Sequence, residues 1–160
     1  MDRDQALREQ LRDLLTWGEA HVDFAGAIDE LPPERRGPSH PSIPHTPWRL
    51  VEHLRIAQHD ILCFCIHPGH ASPDWPEGYW PEGDAPPSPE DWDRSVESFL
   101  ADRRAMVELI LDPSTDLYAR IPHGEGQTIL REALLLADHN AYHVGQLVAV
   151  RRLLGDWHDG

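Results

Sequence analysis

The sequence predicts an all-α protein, a four-helix bundle with long ordered connections. Apolar residues recur at helical spacing along four long stretches, and most of the 15 prolines fall in the segments between those stretches. Four helices with one apolar stripe each bury these stripes most simply against one another. A chain of 160 residues is enough for one such domain, which we expect to span residues 1–160.

Each predicted helix has a recognisable start or stop. The pair Pro32-Pro33 ends the first helix, since proline cannot continue one. Thr46 and Ser88 are N-caps followed directly by proline at the first helical position, and Thr128 is a further N-cap. Gly155 stops the last helix. The four predicted helices span residues 4–31, 47–67, 89–111 and 129–154.

The connections between these helices are long, with 15, 21 and 17 residues. Antiparallel neighbours in helical bundles usually need only about 2–8 residues, so at least one connection is a crossover or a pocket wall. The middle connection contains the near-repeat WPEG at residues 75–78 and 80–83. Its proline and aromatic content predicts an ordered loop. Its aromatic residues Trp75, Tyr79 and Trp80 either cover a pocket or anchor the loop.

Composition narrows the class of protein. The chain carries 28 acidic residues against 14 arginines, with no lysine, for a formal net charge of −14. It therefore lacks the basic surface that nucleic-acid binding needs. It also lacks an apolar run of about 18 residues and the basic, then apolar, start of a signal peptide. We expect a cytoplasmic protein with no nucleic-acid or membrane partner.

Histidine carries the strongest chemical signal. His139 and His143 lie four residues apart on the apolar stripe of the fourth predicted helix, so both imidazoles can reach one ion. On the second helix, His53 lies at the edge of the apolar stripe, whereas His59 lies well away from it. His53, His139 and His143 could form a three-histidine site with open positions, which is typical of catalytic zinc or nickel. The alternative is a group of ordinary core histidines.

Two segments resemble the DinB-like family. They are HTPWRLVEH at residues 45–53, and LREA at 130–133 leading into DHNAYHVGQ at 138–146. The resemblance covers almost the whole chain. It implies a four-helix bundle with up-down-down-up topology, one ligand histidine on the second helix and an H-x3-H-x-G-Q signature on the last. The implied ligands are His53, His139 and His143, holding one divalent ion per chain, with zinc or nickel the preferred metal.

The resemblance also implies a reaction. Characterised relatives transfer low-molecular-weight thiols or catalyse thiol-dependent isomerisation, which an open metal site can support by favouring the thiolate. We expect a metal-dependent enzyme that transfers a small thiol co-substrate to an electrophilic small molecule. Two alternatives stay open: a metal-activated hydrolase using the same site, and a non-catalytic protein that binds a metal or small ligand.

Three further residues are candidates for catalytic roles. Asp60 lies seven residues after His53, on the same side of the helix, where it could orient a ligand, act as a base or line the pocket. Gln146 lies one turn beyond His143 and could hydrogen bond to a ligand or substrate. His45 precedes the second helix and could reach the mouth of the site. The alternatives are a surface carboxylate, a helix-packing position and a loop residue.

Cys63 and Cys65 cannot form a disulfide with each other, because residues two apart on a helix diverge. We expect Cys65 in the core and Cys63 at the surface. The family resemblance favours a homodimer packed through helices. Some apolar residues outside the main stripes are consistent with such an interface, namely Leu109, Leu111, Leu134 and Val148.

Overall fold

The computed structural model describes residues 2–16 and 20–157 of the chain. Within these ranges the regular structure is helical and contains no β-strand, which confirms the predicted all-α class. Four of the helices are long and one is short. They are α1 (Arg3–Thr16), α2 (Phe24–Ile28), α3 (Pro47–Ile66), α4 (Pro89–Leu111) and α5 (Ile129–Leu153).

The predicted caps start the three long helices that follow α2. The side-chain oxygen of Thr46 accepts from the backbone N–H of Arg49, and Thr128 accepts likewise from Arg131, both at 3.1 Å. Ser88 starts α4 in the same way. Local capping chemistry therefore sets these helix starts, as the sequence predicts.

The prediction of one helix over residues 4–31 is wrong. The structure divides this stretch into α1 and α2, with residues 17–19 outside the described part of the chain. Asp23 caps α2 by accepting from the backbone N–H of Gly26 at 2.8 Å, so a helix start lies inside the predicted helix. Phe24 of α2 still packs into the core, with its ring centroid 4.0 Å from that of Phe99. The helical spacing of apolar residues in the sequence therefore continues past the end of α1.

Side-chain contacts give the directions of α3 and its two neighbours. Glu52 accepts from Ser95 at 2.6 Å, and His59 contacts Asp102 at 2.9 Å, so residue numbers rise together along α3 and α4. These two helices are parallel. Between α3 and α5 the order is reversed, because Cys65 lies near Glu132 at one end and His53 near His143 at the other.

Arg8 fixes the position of α1. Its buried guanidinium donates to the carbonyl oxygens of Ile110, Asp112 and Thr115 at 2.6–2.9 Å, so the start of α1 lies at the end of α4. The start of α5 lies at the same end, where Leu130 donates to the carbonyl of Leu117. The long helices α1, α3, α4 and α5 therefore run up, down, down and up.

Two clusters of buried apolar residues form the core along the helix axes. Gln58 is fully buried and bridges three helices, donating to the carbonyl of Phe99 and accepting from Asn140. Among the described residues, no helix is long and apolar enough to cross a bilayer. The first cluster includes Trp48, Leu50, Phe99, Val144 and Leu147, and the second includes Leu11, Leu62, Met106, Ile110 and Leu136.

The apolar residues expected to mark a dimer surface divide into two groups. Val148 belongs to the core, with 9 % exposure, so it leaves no surface to explain. Leu109 packs against the second core cluster. Leu111 and Leu134 are exposed. The homodimer stays a prediction, now supported by fewer surface residues.

Candidate metal centre

The three histidines singled out from the sequence meet between α3 and α5. The Nε2 atom of His53 lies 3.1 Å from Nε2 of His143 and 3.0 Å from Nε2 of His139. His53 and His143 are buried and His139 is half-buried. All three could offer ligand atoms to a single metal ion. We call this group the histidine centre.

Hydrogen bonds behind two of the rings fix which nitrogen faces inwards. Nδ1 of His53 lies 2.8 Å from the backbone carbonyl of Tyr79, which can only accept, so Nδ1 carries the hydrogen. Nδ1 of His143 lies 2.8 Å from Oε1 of Gln146, whose amide nitrogen donates to the hydroxyl of Tyr142. Both rings in their neutral form therefore direct an Nε2 lone pair into the histidine centre.

Burial keeps the histidine centre uncharged. Burial, together with the smaller effect of neighbouring histidines, lowers the pKa of both His53 and His143 to about 4. Burial also lowers the pKa of His139. Near neutral pH, two Nε2 lone pairs then face each other at 3.1 Å with no proton between them. A divalent cation would remove this repulsion, so the donor set fits a metal held by three imidazoles.

Asp60 lies on α3 but does not contact the histidine centre. Its buried carboxylate accepts from the hydroxyl of Tyr79 at 2.6 Å and contacts Nε2 of His70 at 2.7 Å. Because the carbonyl of the same Tyr79 holds His53, Asp60 acts on the histidine centre through the loop. Both of its oxygens have partners, so of the roles considered for Asp60 this geometry fits the orientation of a ligand.

His45 reaches the histidine centre through an aromatic stack. The indole of Trp80 lies parallel to the ring of His53, with centroids 3.9 Å apart and an interplanar angle of 2°. The ring of His45 stacks on the same indole at 4.1 Å. His45 therefore lies at the rim of the histidine centre, separated from His53 by Trp80.

The roles of Tyr79 and Trp80 are the part of the centre that sequence reasoning missed. Both belong to the 68–88 connection, for which covering a pocket and anchoring the loop were the two alternatives. The structure combines the two, because the loop is anchored to Asp60 and also packs on His53. The WPEG near-repeat marked this connection in the sequence, but it does not specify which of its two copies is buried. Trp75 of the first copy is 78 % exposed, whereas Trp80 of the second is half-buried.

The remaining candidate ligands lie elsewhere. His59 contacts Asp102, as its distance from the apolar stripe predicts. Cys63 is buried rather than at the surface, with its sulfur 3.5 Å from Nε2 of His59, and Cys65, expected in the core, is only half-buried. Burial raises the pKa of the Cys65 thiol to about 12 and raises that of Cys63 as well. Both cysteines are therefore thiols near neutral pH.

Comparison with known protein families gives a match over most of the chain. A family model described as the DinB superfamily matches residues 16–147, which include all three residues of the histidine centre. Searches of curated proteins and of solved structures found no match.

Proposed function

The chain belongs to the DinB superfamily, and we propose that it is a metal-dependent enzyme that transfers a low-molecular-weight thiol to an electrophilic small molecule. His53, His139 and His143 would hold one divalent ion per chain, with zinc or nickel the preferred metal. The observation that carries the proposal is the convergence of three Nε2 atoms: those of His139 and His143 lie 3.0 and 3.1 Å from that of His53, and the Nε2 atoms of His53 and His143 are directed inwards as lone pairs.

The number of ligands favours a catalytic site over a structural one. Structural zinc sites are closed by four protein ligands, whereas three ligands leave a position for a small molecule. A divalent ion held by three neutral imidazoles would favour the thiolate form of a bound thiol near neutral pH. The chain itself contributes the fixed rings of His53 and His143 and the aromatic wall of Trp80.

The groups available to accept a proton favour a thiol over water as the nucleophile. A general base is not evident among the candidates, because both oxygens of Asp60 are occupied by Tyr79 and His70. A thiol is acidic enough to lose its proton at a metal without such a base. The chain's own cysteines have raised pKa values, which favours a small molecule as the source of the thiol.

In the proposed reaction, a bond forms between the thiolate sulfur and an electrophilic carbon of the second substrate. The bond from that carbon to its leaving group breaks, and the leaving group departs with the electron pair. The proton of the thiol is released to solvent. The reaction is therefore a group transfer with no net oxidation or reduction.

Metal analysis tests the first half of the proposal. Protein purified without a histidine tag should contain about one divalent ion per chain, and the double variant His139→Ala and His143→Ala should contain none. His59→Ala is the matched control, because His59 lies outside the histidine centre and contacts Asp102. Unchanged metal content in the double variant would contradict the ligand assignment.

A panel of thiols and electrophiles tests the second half. Metal-free protein, metal-loaded protein and His143→Ala are compared in parallel, and only metal-loaded protein should turn over. Equal turnover by metal-free and metal-loaded protein would refute the mechanism. Hydrolysis of activated esters or amides without thiol transfer would replace the proposal with the hydrolase. Metal binding with no turnover of either kind would support the non-catalytic binding protein.

A further inference from the structure

A cysteine and a histidine with metal-ligating atoms lie close together on α3, outside the histidine centre. Sγ of Cys63 is 3.5 Å from Nε2 of His59 and 3.9 Å from Nδ1 of the same ring. The two residues are four positions apart, the same spacing as His139 and His143 on α5, so the helix directs both side chains to one face. His59 follows His53 by six residues, about 9 Å along the helix axis, so this pair is separate from the histidine centre.

Asp102 of α4 fixes the hydrogen on the ring of His59. Its ionised carboxylate can only accept, and one of its oxygens lies 2.9 Å from Nδ1, so the neutral ring carries its hydrogen on Nδ1. The lone pair of the neutral ring is then on Nε2, the nitrogen nearer to the sulfur of Cys63. A carboxylate behind a histidine is a common support for a histidine that binds a metal through its other nitrogen.

The distance between this nitrogen and the sulfur matches the span of a tetrahedral ion. With bonds of about 2.0–2.1 Å to nitrogen and about 2.3 Å to sulfur, two tetrahedral ligands of one zinc ion lie about 3.5 Å apart. The observed separation of Nε2 and Sγ is 3.5 Å. The side chain of His59 is 52 % exposed, so its ring can turn to direct the Nε2 lone pair at an ion without displacing the core. Both ligands can therefore reach one ion without movement of the backbone.

We propose that His59 and Cys63 bind a second divalent cation of the soft or borderline class, such as zinc or cadmium, with Asp102 holding His59 in place. A sulfur–metal bond forms on binding, and the thiol proton is released to solvent. Thiolate and imidazole ligands select such ions over magnesium and calcium, which prefer oxygen ligands. Two protein ligands hold an ion less tightly than three imidazoles, so this site stays empty in protein purified without added metal.

Negative charge around Cys63 favours a cation at this position. Burial raises the pKa of the Cys63 thiol, with smaller contributions from the carboxylates of Asp102 and Asp60. These two charges disfavour a free thiolate, but they attract a divalent ion to the sulfur. Cys63 keeps 8 % exposure beside the half-exposed ring of His59, which gives an ion a route from solvent to the pair.

Cobalt titration in the absence of small thiols tests this inference. Co²⁺ at the histidine centre has only nitrogen ligands from the protein, whereas Co²⁺ bound by Cys63 gives a sulfur-to-cobalt charge-transfer band in the near ultraviolet. We expect this band to appear only after the first equivalent of Co²⁺ and to saturate at one further ion per chain. In the double variant His139→Ala and His143→Ala the band should appear with the first ion bound, so failure of the proposed function would leave this result intact.

Single variants assign the ligands of the second site. Cys63→Ser should abolish the band, and Cys65→Ser is the matched control that should retain it, since Cys65 lies near Glu132 instead. Asp102→Ala should weaken Co²⁺ binding at this site by about 10–100-fold, and His59→Ala should weaken it more. Glu97→Ala removes the same charge from an exposed position on α4 and should bind as the wild type.

Three results would overturn the second site. The first is the absence of a charge-transfer band at every Co²⁺ concentration that keeps the protein in solution. The second is a band that survives Cys63→Ser or disappears equally in Cys65→Ser. The third is unchanged affinity in His59→Ala, because the sulfur would then bind the ion alone. Circular dichroism checks the helical content of each variant, and His59→Ala, which removes an exposed side chain, keeps the test decisive if Cys63→Ser does not fold.

Discussion

Replacing Gln146 tests whether hydrogen bonds behind the rings prepare the histidine centre for a metal. Gln146→Leu removes the oxygen that lies 2.8 Å from Nδ1 of His143. The ring of His143 is then free to carry its hydrogen on Nε2, where it blocks metal binding. Loss of such an orienting partner typically lowers metal affinity by about 10–100-fold. Gln146→Glu keeps an acceptor at the same place and should bind metal at least as tightly as the wild type.

The same loss of metal affinity should also lower the thermal stability of the metal-loaded protein. At a fixed metal concentration well above the dissociation constant, a 10–100-fold loss removes about 1.4–2.7 kcal/mol of metal-dependent stabilisation. For a chain of 160 residues this lowers the melting temperature by about 3–11 °C. Because Gln146 is half-buried at the rim, the melting temperature of the metal-free protein should change much less.

The measurements are competition with a chromophoric chelator and thermal unfolding with and without metal. Gln10→Leu, at an exposed position on α1, controls for the change of residue type. Wild-type metal affinity in Gln146→Leu would refute the orientation argument. Equal losses in Gln146→Leu and Gln146→Glu would refute it too, since the glutamate retains the acceptor.

Three further predictions concern the loop, the cysteines and pH. Tyr79→Phe removes the hydroxyl bound to Asp60 and should lower the free energy of unfolding by about 1.5–3 kcal/mol; in urea titrations, exposed Tyr118→Phe should behave as the wild type. The half-buried Cys65 thiol, with its pKa raised to about 12, should resist thiol reagents at mildly alkaline pH until the protein unfolds, and rapid labelling of this thiol in folded protein would contradict the raised pKa. The two buried histidines of the histidine centre have pKa values lowered from 6.5 to about 4, so the unfolded chain binds more protons between these values. Metal-free protein should therefore have its full stability from these groups above about pH 6.5 and lose it as the pH falls towards 4, whereas a flat profile in urea titrations would show that the histidines are not held neutral.

The sequence by itself determined the features that depend on neighbouring residues. The caps at Thr46, Ser88 and Thr128 set the starts of three long helices, because each cap satisfies backbone N–H groups within the next turn. The spacing of His139 and His143 placed both on one face of α5 for the same local reason. The prediction of a single first helix was wrong because two local signals disagreed. The helical spacing of apolar residues continued past residue 23, whereas Asp23 caps the start of a new helix.

Only the tertiary structure decided what stands behind and beside the histidine centre. The carbonyl of Tyr79 and the indole of Trp80 reach His53 across 26 and 27 positions of the chain, through a loop with no periodic pattern. The anchoring of that loop by Asp60, and the unpartnered Nε of Arg49, depend likewise on how the 68–88 connection folds against α3. Helix periodicity gives the direction of a side chain, but it does not specify which distant backbone atom lies opposite. That pairing is set by packing the whole chain into one core.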